Sequence, residues 1–224
     1  MASDTLSREQ IVGAAMELLD TEGVHGLSMR RLGTKLDAGA TSIYWHVKNK
    51  DELLELASDH AFAEIELPDA AEIGWRAAVT ALADGMRSMV LRHPWLVSVF
   101  ATRLFYGPNL ARFQDHTIGV YQSAGFPDDE LDSVMGTVDA YVLGAALGEA
   151  AWRTQLQEMG EDQKDLIDRL MTTGREIAAP YPRLLERLSA YGTDTMAEDG
   201  KLRESSFDYG LRAVLDGLET RIPR

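Results

Sequence analysis

Residues 42–53 read SIYWHVKNKDEL and gather side chains whose types and spacing suit one chemistry, the binding of a polyanion. Tyr44, Trp45 and His46 stand side by side in a chain that is only 8% aromatic, and Lys48 and Lys50 follow at once. A phenol O–H, an indole N–H and an imidazole donate hydrogen bonds from stiff, flat bodies, and the two ammonium groups add charge. Together they fit phosphate oxygens and thymine methyl groups. The competing reading makes Tyr44 and Trp45 core aromatics beside an ordinary solvated edge. It suits either ring taken singly but not the whole run, whose members cannot all face a core.

The same inspection finds no reaction chemistry. The five histidines, at 25, 46, 60, 93 and 116, are scattered, with no His-Glu-x-x-His, phosphate loop, nucleophile elbow or paired metal-ligand spacing. His116 beside Asp115 is a weak acid–base pair, expected to be solvated. Cysteine is absent, which removes disulfides and thiolate metal sites and fits a reducing cytoplasm. No enzyme, cofactor or metal is expected. The opening MASDTLSREQ has no basic stretch followed by an apolar one, and no window is long and apolar enough for a bilayer. The expected location is cytoplasmic, away from the membrane.

The formal charge of −14 opposes nucleic acid only as a single number. Residues 1–50 carry six Lys/Arg and six Asp/Glu, so the whole excess lies in 51–224. A local basic face is what duplex binding requires, and the front segment can supply one.

The elements that must position the run are short helices. SREQIVGAAMELLDTEG opens with a Ser7…Gln10 capping box, puts Ile11, Ala15, Leu18 and Leu19 on one face, and stops at Gly23. Ser28 caps a second helix with Met29, Leu32, Gly33 and Leu36 on one side. DAGA, residues 37–40, is a tight break. A third, very short helix starts at Thr41 or Ser42 and ends near Val47. Asn49, with Glu52 in the partner position, caps a fourth running to Pro68. Three short helices with tight turns make a helix-turn-helix, the third helix being the reader. Thr41 and Ser42 then face base edges, Tyr44, Trp45, His46 and Lys48 flank the strands, and Arg30 and Arg31 reach the same groove. Backbone N–H groups opening the fourth helix, with Lys50, meet a phosphate.

Beyond Pro68 the pattern predicts longer helices at 73–92, 95–104, 108–124, 128–157, 163–179, 181–191 and 204–221, with no convincing period-two strand anywhere. The fold class is all-α. Residues 6–50 form the helix-turn-helix domain, the helix at 50–67 is the connector, and 68–224 form a larger helical domain.

LSREQIVGAAMELLDTEGVHGLSMRRLGTKL…TSIYWHVKNKDELL resembles the TetR family of bacterial transcriptional regulators, and the YWHVKNK run is similar to the tetracycline repressors. The likeness is strong over 6–68 and continues through Trp75 and FDYGLRAVLDGLE at 207–219. It implies an operator-binding homodimer whose C-terminal domain dimerises through a four-helix bundle and encloses an inducer pocket. By position, Arg30 and Ala40 to His46 face the operator and Lys50 sits on a phosphate. Where tetracycline repressors begin the reading helix with Gln-Pro-Thr, this chain has Ala40, Thr41 and Ser42. A different, still palindromic operator is expected.

The resemblance also implies dimer helices. Gly136, Ala140, Gly144, Ala145 and Gly148 make a ridge of small residues, and Tyr209, Gly210, Ala213, Gly217 and Leu218 a second one. Intramolecular close packing is the alternative. Candidate ligand contacts are the large, soft Leu82, Met86, Met89, Trp95, Phe100, Phe105, Phe113, Met135 and Trp152, with Arg103, His116 and Asp139 as polar members. Asp139 interrupts an apolar face, and an ion pair with an arginine such as Arg103 is expected ahead of a ligand contact. In ungapped register from Trp75, the drug-binding asparagine of tetracycline repressors falls at Leu82 and their metal-holding histidine at Phe100. A less polar aromatic inducer than tetracycline, polyketide-like in origin, is therefore expected, without a metal. The rival reading is a helical adaptor or small-molecule-binding protein lacking sequence-specific DNA recognition.

Overall fold

Side-chain caps set the first helices. A computed structural model describes residues 6–159, 163–190 and 199–223 as helices and connecting turns, with no strand among the described residues. Helix α1 (Arg8–Gly26) opens on a reciprocal capping box: Gln10 N–H donates to Ser7 Oγ at 3.2 Å and Ser7 N–H to Gln10 Oε1 at 2.8 Å. The expected stop survives inside it as a kink, because Gly23 takes a left-handed φ of 67° that a side chain would resist. Ser28 caps α2 (Met29–Lys35), and Asn49 caps α4 (Lys50–Phe62) by accepting the Glu52 N–H at 2.8 Å. Between them α3 spans Ala40–Tyr44, starting one or two residues earlier than expected and ending about three residues earlier.

Ile11, Leu19, Leu27, Leu32, Ile43, Val47 and Leu53 are all essentially buried and form one small core under α1 to α4. Burying each such side chain is worth about 1.5–3 kcal/mol, which helices of five and seven residues need, since neither is stable alone.

Helix α4 was expected to reach Pro68 but ends at Phe62. Leaving the helix lets Ile65 turn into the core, only 2% exposed, against α6 at Gly85. A separate turn, α5 (Ala70–Ile73), precedes α6 (Trp75–Arg92), where one helix was expected from residue 73. Then come α7 (Leu96–Thr102), α8 (Pro108–Ser123), α9 (Leu131–Met159), α10 (Gln163–Ala178), α11 (Pro182–Ala190) and α12 (Asp199–Glu219). The polar run at 192–202 falls partly outside the described residues, and α12 begins within it.

The body packs around α9, which lies against α6, α8 and α12, while α10 packs on α11. Between α6 and α9 the buried Glu149 accepts from Arg87 at 2.7 Å and Arg153 at 2.6 Å, so its charge is compensated on both sides. Tyr141 donates its hydroxyl proton to the Phe207 carbonyl at 2.8 Å and joins α9 to α12.

Two polar joints tie the front helices to the body. At the first, His93, buried at the end of α6, meets Asp20 of α1 at 2.7 Å and Glu64 at 3.0 Å, and the Trp95 indole N–H also donates to Asp20 at 2.7 Å. Burial alone would lower the His93 pKa, but the hydrogen bonds to both carboxylates outweigh it and raise the value. The second joint is Asp59 of α4. Its buried carboxylate accepts the Leu110 N–H at 2.9 Å, the Asn109 N–H at 3.1 Å and the Asn109 side-chain amide at 2.9 Å, capping α8 from outside its own segment. Gly107 makes room, since a Cβ there would collide with the Asp59 carboxylate.

Candidate nucleic-acid interface and ligand cavity

Ile43 and Val47, both about fully buried, pin α3 to the front core and so decide which of its neighbours face outward. Thr41, Ser42, Tyr44 and Trp45 are exposed, and His46 is half-buried. At 85% exposure Trp45 contributes nothing to a core, which removes the bland reading for that ring; Tyr44 stands at 52%. Ala40 opens α3, and Asp37, with a φ of 47°, makes the sharp bend before it. Asp is among the few residues that tolerate that region.

The cations around this face differ in freedom. Arg30 is exposed, and its guanidinium meets no partner among the described residues. Arg31 is committed to Glu22 and, at 3.3 Å, to the Gly26 carbonyl. Lys48 is exposed. Lys50 is half-buried, and its ammonium donates to the Val24 carbonyl at 2.6 Å, which fixes it beside the end of α1. The backbone donors opening α4 are partly used, for Glu52 N–H goes to Asn49 and Lys48 N–H goes to Glu52 at 2.6 Å.

The other end of α4 enters a cavity of about 350 Å³. Phe62, the last residue of the helix, forms part of its wall, with ring centroids 5.6 Å from Phe113, 6.1 Å from Phe105 and 6.4 Å from Phe100. Met86 closes it from α6, Arg103 and Leu104 from the segment after α7, and Met135, Asp139 and Leu143 from α9. Leu110, Phe113, Gln114 and Thr117 follow along α8 at helical spacing, the signal by which Leu110, Gln114 and Thr117 were open to detection. Of the twelve candidate contacts, the structure brings together Met86, Phe100, Arg103, Phe105, Phe113, Met135 and Asp139. Leu82, Met89 and Trp95 are buried in the general core, and Trp152 lies further along α9. His116 faces a different concavity beside Asp69 and Trp75, where its Nε2 meets the Pro68 carbonyl at 3.0 Å.

The anticipated Arg103–Asp139 pair does not form. Arg103 binds Asp51 of α4 at 2.9 Å, because the chain after α7 turns the guanidinium toward the connecting helix. Asp139 is left on the cavity wall, and burial pushes its carboxyl up from 3.8 to about 6.

Gly136, Ala140, Gly144 and Gly148 form an exposed smooth stripe on α9, with Tyr209, Ala213 and Gly217 exposed on α12. Among the described residues no group of three or more His, Asp or Glu could hold a metal, and no helix is long and apolar enough to cross a membrane.

A family model for bacterial regulatory proteins of the tetR family matches residues 11–57, and one for the tetracyclin repressor-like C-terminal domain matches 67–222. An HTH-type transcriptional regulator of Saccharopolyspora erythraea is 35% identical, over 95% of this chain and 84% of its own. The HTH-type transcriptional repressor DrrR1 of Streptomyces coeruleorubidus is 34% identical, over 97% of this chain and 79% of its own. The Streptomyces coelicolor TetR family protein ActR, solved in complex with actinorhodin, superposes with a TM-score of 0.77 at 30% identity, covering 97% of this chain and 96% of that one.

Proposed function

The chain belongs to the TetR family of bacterial transcriptional regulators, and from that premise we propose that it is a homodimeric repressor released from a palindromic operator by a small aromatic ligand. The reading divides the chain into a DNA-reading head at 6–50, the connector α4, and a ligand-binding and dimerising body from residue 68 onward. Arg30, Arg31, Lys48, Lys50 and the exposed side chains of Thr41 to Trp45, with His46, are the proposed DNA contacts. The small-residue face of α9 and the exposed side of α12 are the proposed dimer surface. Two such heads read half-sites about 34 Å apart, one turn of duplex.

One observation carries the reading: α4 begins at the DNA face with Lys50 and ends inside the cavity with Phe62. A ligand that moves the Phe62 ring acts directly on the rod that carries the head. The aromatic, weakly polar wall favours a flat, largely apolar molecule, and the relative ActR, seen with actinorhodin, supports a ligand of natural-product size.

The test begins with selection of bound sites from randomised duplex DNA, which separates a regulator from a helical adaptor. A consensus with two inverted half-sites is expected; recovery of random sequence refutes specific recognition. Ligand titration against free and operator-bound protein follows. A ligand that weakens operator binding 100-fold must itself bind the DNA complex 100-fold more weakly, about 2.7 kcal/mol of coupling. Equal affinities reject an inducer.

A further inference from the structure

Asp139 sits in the wrong place for a structural acid. It lines an otherwise largely aromatic and aliphatic cavity and makes no hydrogen bond or ion pair with any described residue. The facing groups explain its isolation. Met86 approaches from α6, the buried Tyr121 and the neutral Gln114 and Thr117 from α8, and Arg103 from the segment after α7. Thr117 spends its hydroxyl proton on the Phe113 carbonyl at 2.8 Å, and Arg103 is held by Asp51 at 2.9 Å. Tyr121 feels the carboxylate, for burial first and the charge of Asp139 second push its phenol up.

A half-buried carboxylate without a partner carries a desolvation cost, and that cost is relieved by whatever brings it an opposite charge. The cavity is already furnished for one. Phe62, Phe100, Phe105 and Phe113 present ring faces and edges within a few ångströms of one another, and a cation near such faces is attracted by their quadrupoles. A neutral aromatic ligand would fill the same space but leave the acid more desolvated than before, and an anionic one would be repelled.

We infer that Asp139 is the counter-ion for a cationic centre on the ligand, so that the molecule recognised is an aromatic compound bearing a basic amine. The inference rests on the cavity being the ligand site, and it narrows the class of ligand proposed above.

The test uses two flat tricyclic dyes on the intact protein without DNA: proflavine, a cation at neutral pH, and acridone, a neutral molecule of similar shape. Fluorescence titration should give proflavine about tenfold tighter binding than acridone, the scale of a charge-assisted contact. Asp139→Asn should reduce proflavine to the level of acridone while acridone binding is kept or tightens, which also shows that the variant is folded. Leu143→Trp, which fills the cavity, should remove both dyes. Proflavine affinity should fall as the pH drops through about 6, where the acid takes up its proton. Equal binding of the two dyes, a preference that survives Asp139→Asn, or proflavine binding that tightens in acid overturns the counter-ion, while acridone binding lost in Leu143→Trp keeps the cavity as the ligand site. Binding of neither dye, or binding that ignores Leu143→Trp, removes the cavity reading and the counter-ion with it.

Discussion

Asp59→Ala is expected to damage both stability and signalling, by an amount the geometry sets. Asp59 is 7% exposed, and its carboxylate receives three hydrogen bonds, from the Leu110 N–H, the Asn109 N–H and the Asn109 amide, at 2.9–3.1 Å. Charge-assisted bonds contribute about 1.5–3 kcal/mol each, and they do not add in full. Removing the acceptor also strands two backbone donors at the start of α8, so about 3–5 kcal/mol is expected for the whole joint. For a chain of this size that corresponds to a fall in Tm of about 6–20 °C. Asp59→Asn should rescue in part, because its amide oxygen can still accept the Asn109 and Leu110 N–H groups while its amide nitrogen meets only the donor of the Asn109 side chain. Thermal unfolding followed by circular dichroism measures the loss, with operator release followed in parallel at a temperature where both proteins are folded. The expected variant still binds operator but needs more ligand to release it, since the joint between α4 and α8 is slack. A Tm within about 2 °C of the parent, a loss below about 1 kcal/mol, would refute the reasoning.

Three further outcomes follow from the same structure. Asp139→Asn should stabilise the ligand-free protein: the folded carboxyl is raised from 3.8 to about 6, so its charged form carries a cost of up to about 3 kcal/mol that is full above pH 6 and gone below 3.8. A Tm gain that is the same in acid as at neutral pH would contradict this. The raised pKa of His93 gives stability that is fully present below 6.5 and lost as pH rises through the folded value, so His93→Gln should flatten that part of a Tm-against-pH profile. Arg30→Ala is expected to cost about 1–3 kcal/mol of operator binding and relax specificity if it touches a base, while Lys48→Ala should weaken all duplexes alike and lower the salt slope by about 1. Unchanged binding in electrophoretic shift assays would remove either residue from the interface.

What local chemistry dictates was legible in the residues. Ser7 with Gln10, Ser28, and Asn49 with Glu52 announce helix starts within a few positions, and the apolar faces of α1 and α2 follow from period. The run from Tyr44 to Lys50 is legible as a binding face because its members cannot all face a core, although the spacing does not say which single ring stays outside. The misses all depend on distant partners. Nothing in the spacing of Asp59 and Asn109, or of Asp20, Glu64 and His93, announces that they meet, since tertiary packing alone brings them together. Arg103 was paired with the wrong acid for the same reason: two acids competed, and the turn after α7 chose Asp51. Helix α4 stops short of its proline, and the chain beyond it turns Ile65 into the core, a contact with α6 that local spacing does not announce.

Trp45 has a further use. Of the four tryptophans, Trp95 is buried and Trp75 and Trp152 are partly shielded, whereas Trp45 stands almost entirely in solvent. The protein therefore carries a built-in optical probe at its proposed contact face, whose emission should start red-shifted and dim when a duplex is laid across it. Titration of unlabelled operator can be read from the native chain, without a dye, against three indoles that serve as a steady background.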